Sequence, residues 1–201
     1  MASILKVDTI QDQSGNNIIN ENADTITIGA SGDTIAVPTG ATLTVPNGKI
    51  TGQNYPAFEA FLSSNQTVTD NVTTKIQFNS EVFDTDSCYD NSVNYRFTPT
   101  VAGKYFVYAV LGSDTIAGAN LDQLNLFVYK NGTEISQSKI DARGNTLGSF
   151  CTVNATLTVD MNGSSDYLEA FGQIDDTSGN PDFFGTTPSR KTLFGAFRIG
   201  A

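Results

Sequence analysis

Runs of alternating apolar and polar residues, each closed by Gly, Pro, Asn or Asp, recur along this chain, and their period of two predicts strands rather than helices. The stretch Tyr95–Val110, YRFTPTVAGKYFVYAV, is the clearest: an extended run ending at Phe97, a turn fixed by Pro99 and Gly103, then a strand in which Tyr105, Val107 and Ala109 alternate with Phe106, Tyr108 and Val110. Both faces of that strand are apolar, so both need cover, one from an opposing sheet and the other from a second layer or a partner subunit. Further strands are expected in PAFEAFLS (Pro56–Ser63), TKIQFN (Thr74–Asn79), VNYRF (Val93–Phe97), KYFVYAVLG (Lys104–Gly112) and QLNLFVYK (Gln123–Lys130). TEISQSKI (Thr133–Ile140), CTVNATLTVD (Cys151–Asp160), DYLEAFGQ (Asp166–Gln173) and TLFGAFRIG (Thr192–Gly200) complete the set. Asn131-Gly132 reads as a tight hairpin turn, Asn162-Gly163-Ser164-Ser165 as a second turn, and no window sustains a helical period. An all-β chain follows, with a jelly-roll sandwich of about eight to ten strands.

The N-terminal quarter has a different rhythm. Asp24-Thr-Ile-Thr-Ile-Gly, Asp33-Thr-Ile-Ala-Val-Pro and Ala41-Thr-Leu-Thr-Val-Pro each set two apolar residues at period two before a Gly or Pro stop, pairing Ile26 with Ile28, Ile35 with Val37 and Leu43 with Val45. A strand that short cannot bury its one apolar face alone. Identical chains wound about a common axis would cover it, as a β-prism or triple β-helix stalk; a flexible linker is the plainer alternative. All 13 Phe and 7 Tyr lie at or beyond Tyr55. Two domains are therefore expected, a thin β-repeat stalk over residues 1–54 and a jelly-roll head over 55–201, with the whole a homotrimer.

Composition narrows the function. A net charge of −10 repels a phosphate backbone and argues against nucleic acid as partner. No apolar run is long enough to span a bilayer as a helix, and MASILKVDTIQ lacks the pattern of a secretion signal, so synthesis and assembly in a cytoplasm, without membrane insertion, are expected. Histidine is absent, which removes the Ser-His-Asp and Cys-His nucleophile systems and the usual zinc sites. The two cysteines, Cys88 and Cys151, are too few for a disulfide framework and are expected to be free.

Several residues are candidates for chemistry. Asp84, Asp86 and Asp90 alternate in the loop DTDSCYD and offer hard oxygen ligands for Ca²⁺, although the Gly and terminal Glu of an EF-hand are missing; Asp175-Asp176 with Asp182 is a second such group. An acidic solvated loop is the simpler reading, and no cofactor is expected. Glu81, Asp84 and Glu169 are the carboxylates a glycosidase would have to pair, and nothing in the spacing pairs them. Tyr89, Phe183 and Phe184, with Tyr95, sit near polar loops where rings can stack on sugars or grip a receptor; alternatively they are core or loop anchors.

Residues 56–201 resemble the trimeric jelly roll shared by the globular head of the first complement component and the tumour-necrosis-factor cytokines. Phe97, Pro99, Gly103 and Tyr105 match that family's Phe-x-Pro-x-x-x-Gly-x-Tyr turn, and Tyr129-Lys130-Asn131-Gly132, Asp166-Tyr167-Leu168-Glu169 and the closing Phe194-Gly195-Ala196-Phe197 match further strands. Val107 and Ala109 depart from it, standing where the family usually carries aromatics. The resemblance implies threefold self-association, with Phe97, Tyr105, Phe106, Tyr108, Phe194 and Phe197 shared between the head core and the trimer contact. Lys6-Val7-Asp8-Thr9-Ile10-Gln11, followed by a Gly-Asn turn, looks like the opening of small fibre proteins of marine and cyanobacterial tailed phages. That likeness implies a non-enzymatic virion protein on the tail or the capsid surface. It would be held to other virion proteins by its N-terminal segment, with a host glycan or receptor met by the head loops. A capsid-attached fibre or decoration protein, and a polysaccharide-degrading spike, are the competing forms.

Overall fold

The computed structural model describes residues 9–11, 13, 17–22, 25–28, 34–38, 41, 56–115, 120–143, 150–177 and 179–200. The chain divides into two compact units, Met1–Ile50 and Thr51–Ala201, where the sequence suggested a boundary at 54/55.

In the first unit β1 (Thr9–Gln11), β2 (Asn17–Asn22) and β3 (Thr25–Ile28) form an antiparallel meander in that order. β3 is the first of the three expected rungs, and its Ile28 is 52% exposed. The second rung differs from expectation: residues 34–38 form no strand, and Ile35 and Val37 stand 63% and 47% exposed. Two apolar residues ending at Pro38, which lacks a donor, find no ladder among the described residues. Leu43 and Val45 lie outside the described residues, as does the side chain of Ile26.

The second unit is built from β4 (Ala57–Phe61), β5 (Gln66–Thr67), β6 (Thr74–Lys75), β7 (Ser80–Asp84), β8 (Tyr89–Asp90), β9 (Arg96–Phe97) and β10 (Gly103–Asp114). These are followed by β11 (Leu121–Lys130), β12 (Thr133–Asp141), β13 (Phe150–Met161), β14 (Leu168–Asp176), β15 (Asp182–Phe183) and β16 (Leu193–Gly200). All pairings are antiparallel. The first sheet runs β5-β15-β10-β16-β4-β7, with β13 along the other side of β10 from Gly103↔Met161 to Asp114↔Phe150. The second runs β12-β11-β14-β9-β8, with β6 also on β14. Two antiparallel sheets without a helix among the described residues make the expected jelly roll.

Period two puts alternate residues between the sheets. Tyr105, Val107, Ala109 and Leu111 of β10 are at most 1% exposed, and they face Leu124, Leu126 and Val128 of β11, which are fully buried. At one end Phe58 stacks on Tyr89 and Phe97, with centroids 4.6 and 4.5 Å apart, and meets Phe194 edge-on at 5.1 Å. Each such ring contributes about 1.5–3 kcal/mol by burial. Gly103, at φ +146°, opens β10 where an added Cβ would fall 2.2 Å from the carbonyl oxygen of Gly200, so no larger residue fits this turn. Asn131 and Gly132, at φ +53° and +77°, make the hairpin expected between β11 and β12. The strand expected over Val93–Phe97 is shorter, since β9 begins only at Arg96 and the half-buried Tyr95 before it has φ +51°.

Candidate functional site

The face of the first sheet turned away from the core collects the rings that the core does not use. On β10 it carries Phe106, Tyr108 and Val110, all half-buried, and these pair across to Phe197, Gly195 and Leu193 of β16. The Phe106 and Phe197 rings lie 5.4 Å apart. The Tyr108 hydroxyl donates to Glu59 Oε2 at 2.8 Å, while Arg190 ion-pairs the other oxygen. Burial, reinforced by the hydrogen bond to Glu59 and by its charge, pushes the Tyr108 phenol well above the usual range. Phe83 of β7, opposite Glu59, extends this face and is 43% exposed. The six aromatics expected at core and trimer contact are thus divided: Phe97, Tyr105 and Phe194 are wholly inside, and Phe106, Tyr108 and Phe197 lie on the outer face.

Two of the three receptor-contact candidates are buried. Tyr89 is packed flat on Phe58, donates its hydroxyl to the Phe78 carbonyl at 3.2 Å, and burial raises its pKa. Phe183 is fully enclosed. The reason is β15, which pairs with Ser113 and Asp114: alternation sends Phe183 inward and Phe184 outward. Only Phe184 keeps a surface. Its amide donates to the Gly112 carbonyl at 2.8 Å, and its ring meets Phe150 edge-on at 5.1 Å, with Lys191 Nζ 5.8 Å from the Phe150 centroid.

The acidic loop folds on itself. Asp84 accepts backbone N–H bonds from Cys88 and Tyr89 at 3.1 and 2.8 Å, and Asp86 accepts from the Thr100 hydroxyl. Asp90 accepts from the amides of Ser92, Val93 and Asn94, led by Val93, and these hold its carboxyl far below the usual range. Among the described residues no three His, Cys, Asp or Glu side chains group so as to hold a metal. Asp182 is separated from Asp175 and Asp176 by its place on β15, where it shares the Asn65 amide with Asp114. Of the glycosidase carboxylates, Glu169, 6% exposed and ion-paired to Lys75 at 2.6 Å, belongs to the second sheet, whereas Glu81 and Asp84 lie together on β7 of the first. Burial and then the Asp84 charge raise the Glu81 pKa. Cys88 and Cys151 are both free thiols.

A surface unassigned by sequence reading is the open face of the second sheet, where the rings of Tyr129 and Phe171 lie 4.6 Å apart. Beside them Asn125 Nδ2 donates to Gln173 Oε1 at 3.2 Å. Its signal was present, in the period-two spacing of Asn125, Phe127 and Tyr129 and of Phe171 and Gln173. Only the β11–β14 register shows that rings meet rings and amides meet amides.

No protein-family model matches the sequence, and no curated protein does. Solved structures do resemble the fold. Eiger, a tumour-necrosis factor from S. frugiperda, superposes with a TM-score of 0.52 at 9% identity over 73% of this chain and 94% of its own. Murine APRIL gives 0.51 at 9% identity over 71% of this chain and 99% of its own. The globular domain of a zebrafish complement 1qA protein gives 0.44 at 14% identity over 71% and 93%. At these identities the likeness is one of fold, and the second unit is a jelly roll of the tumour-necrosis-factor kind.

Proposed function

We propose that this chain is a structural protein of a tailed-phage virion, a homotrimeric tail fibre or spike. Its N-terminal segment would attach to other virion proteins and its head would face the host. The observation that carries this reading is unsatisfied apolar surface in both units: Ile28, Ile35 and Val37 in the first, and the Phe106–Tyr108–Phe197 face in the second. Copies around a threefold axis cover both sets at once, and three heads multiply a weak host contact by avidity. The phage assignment is supported by the likeness of Lys6–Gln11 to phage fibre openings. No catalytic step is required of the carboxylates, of which Asp84 is engaged with backbone amides and Glu169 with Lys75.

Immunogold imaging of the purified particle tests the assignment. Label at the tail tip, with purified protein blocking adsorption to host cells, is expected. Label on the capsid, with infectivity surviving loss of the gene, would replace the tail fibre by a capsid decoration. Turnover of host polysaccharide by the purified protein would replace it by a degrading spike.

A further inference from the structure

The second sheet buries one side against the first, and the other side, half-exposed at Tyr129, Phe171 and Gln173, is ordered chemically. Leu124, Leu126 and Val128 turn inward from β11, so Asn125, Phe127 and Tyr129 lie on the other face, where Asn125 and Phe127 are only 2% and 7% exposed and Tyr129 is half-buried. The β11–β14 register sets Phe127 beside Phe171 and, one pleat along, Asn125 beside Gln173. A ring row and an amide row therefore run across the strands about 7 Å apart, the spacing of alternate residues on a strand. Tyr129 adds to the ring row through its 4.6 Å contact with Phe171.

The amides form a chain. Gln137 Nε2 donates to Asn125 Oδ1 at 3.4 Å, Asn125 Nδ2 to Gln173 Oε1 at 3.2 Å, and Gln173 Nε2 to Asn71 Oδ1 at 2.8 Å. Such a chain fixes each amide's orientation before any ligand arrives, so binding costs little further ordering. Each primary amide carries more donor and acceptor positions than these bonds use.

Charge selects the ligand class. The protein is strongly acidic and this face shares that sign: Lys75 pairs with Glu169 at 2.6 Å, Lys139 and Arg143 share Asp141, and Glu134 and Asp175 add acids beside Tyr129 and Gln123. With its cations already ion-paired and further acids beside them, the face gives an anionic chain no attraction, and a neutral one arrives without losing charge solvation. A pyranose has one apolar face and a rim of hydroxyls, which complement a ring row beside an amide row.

We propose that this face binds a neutral pyranose polysaccharide, with Tyr129 and Phe171 stacking on a sugar ring and Gln137 and Gln173, held in place through the buried Asn125, meeting its hydroxyls. The face is also the one left free when copies cover the rings of the first sheet. The proposal names a ligand class for the host-contact role above and rests on that role for its biological setting alone. Sugar binding by purified protein is read independently of where the chain sits on a particle.

Affinity electrophoresis through gels containing dextran, mannan, galactan or β-glucan, with alginate and heparin as anionic comparisons, tests it on the full chain. Retardation by at least one neutral polymer is expected. It should weaken about ten-fold in Tyr129→Ala and several-fold in Gln137→Ala, the loss of a contact of about 1 kcal/mol or more. Gln137 is exposed, so its variant keeps the fold, and thermal melting checks Tyr129→Ala. Val82→Ala, at an exposed position of β7 in the other sheet, should bind as the unaltered protein does. Retardation by the anionic polymers alone, by none of the six, or equally in the Tyr129 and Gln137 variants overturns the proposal.

Discussion

The phenol ring of Tyr108 lies across the backbone of Gly195: a Cβ added to that glycine would fall 2.3 Å from Tyr108 Cζ. The missing side chain lets the ring lie against the sheet and reach Glu59. In Gly195→Ala the tyrosine must lift and the hydrogen bond to Glu59 is lost. Because the displaced atoms are the far end of a half-buried side chain, the expected cost is about 1–2 kcal/mol of head stability. Urea unfolding measures it, and Tyr108→Phe, which loses only the hydroxyl, should cost less.

Gly172 makes the same kind of opening inside the core. An added Cβ would lie 2.6 Å from Phe183 Cζ and 2.7 Å from Leu111 Cδ2. Gly172→Ala is expected to destabilise by about 2–3 kcal/mol, and Phe183→Ala by about 3–5 kcal/mol. Since removal of the ring makes room for the methyl group, the double variant should be more stable than the sum of the two predicts, by about 1 kcal/mol or more. A double-mutant cycle in denaturant measures this coupling, and strict additivity would deny the contact.

These two glycines mark where sequence reading stops. The strand Lys104–Val110, its two apolar faces and the Asn131-Gly132 hairpin are local patterns, and the fold follows from them. The strand Ser80–Asp84 escaped because Glu81, Val82 and Phe83 are all exposed and show no alternation. Tyr89 and Phe183 looked like loop aromatics because the residues that enclose them are distant in sequence: Phe58 for the first, Leu111 and Gly172 for the second. The Asp84-Asp86-Asp90 spacing suggests ligands, yet Asp84 and Asp90 accept from the loop's own amides and Asp86 from the Thr100 hydroxyl, a choice that depends on backbone turns. The ring row and amide row needed the register between β11 and β14, which no single strand encodes.

Asp90 gives the head an acid sensitivity of known sign. Its amide bonds, led by Val93, depress its pKa in the folded state. A carboxyl depressed by folding contributes its stabilisation above its unfolded pKa of about 3.9, and loses it as pH falls from there toward the lower folded value. Asp90→Asn should therefore lower the melting temperature at pH 7 and narrow its difference from the unaltered protein below about pH 4. Melting curves from pH 7 to 2 check this; a difference that stays constant across that range would contradict it.

The two units, Met1–Ile50 and Thr51–Ala201, are expected to respond separately to substitution. Ile35 is 63% exposed in the single chain, so Ile35→Asp should leave the isolated head's unfolding transition unchanged. The same charge placed between three copies of the stalk is costly and should loosen their N-terminal ends. Limited proteolysis is expected to cut the variant faster ahead of Thr51 while the head survives intact, whereas equal cleavage in both proteins would remove the stalk contact.

Self-association through the outer face of the first sheet underlies the whole account, and sedimentation equilibrium of the full chain at micromolar concentration tests it most directly. The account predicts the mass of three 21.4-kDa chains, and a folded monomer for Phe106→Glu, whose charge would be buried against two neighbours. A stable monomer of the unaltered protein, or a Phe106→Glu variant that still sediments as a trimer, would contradict it.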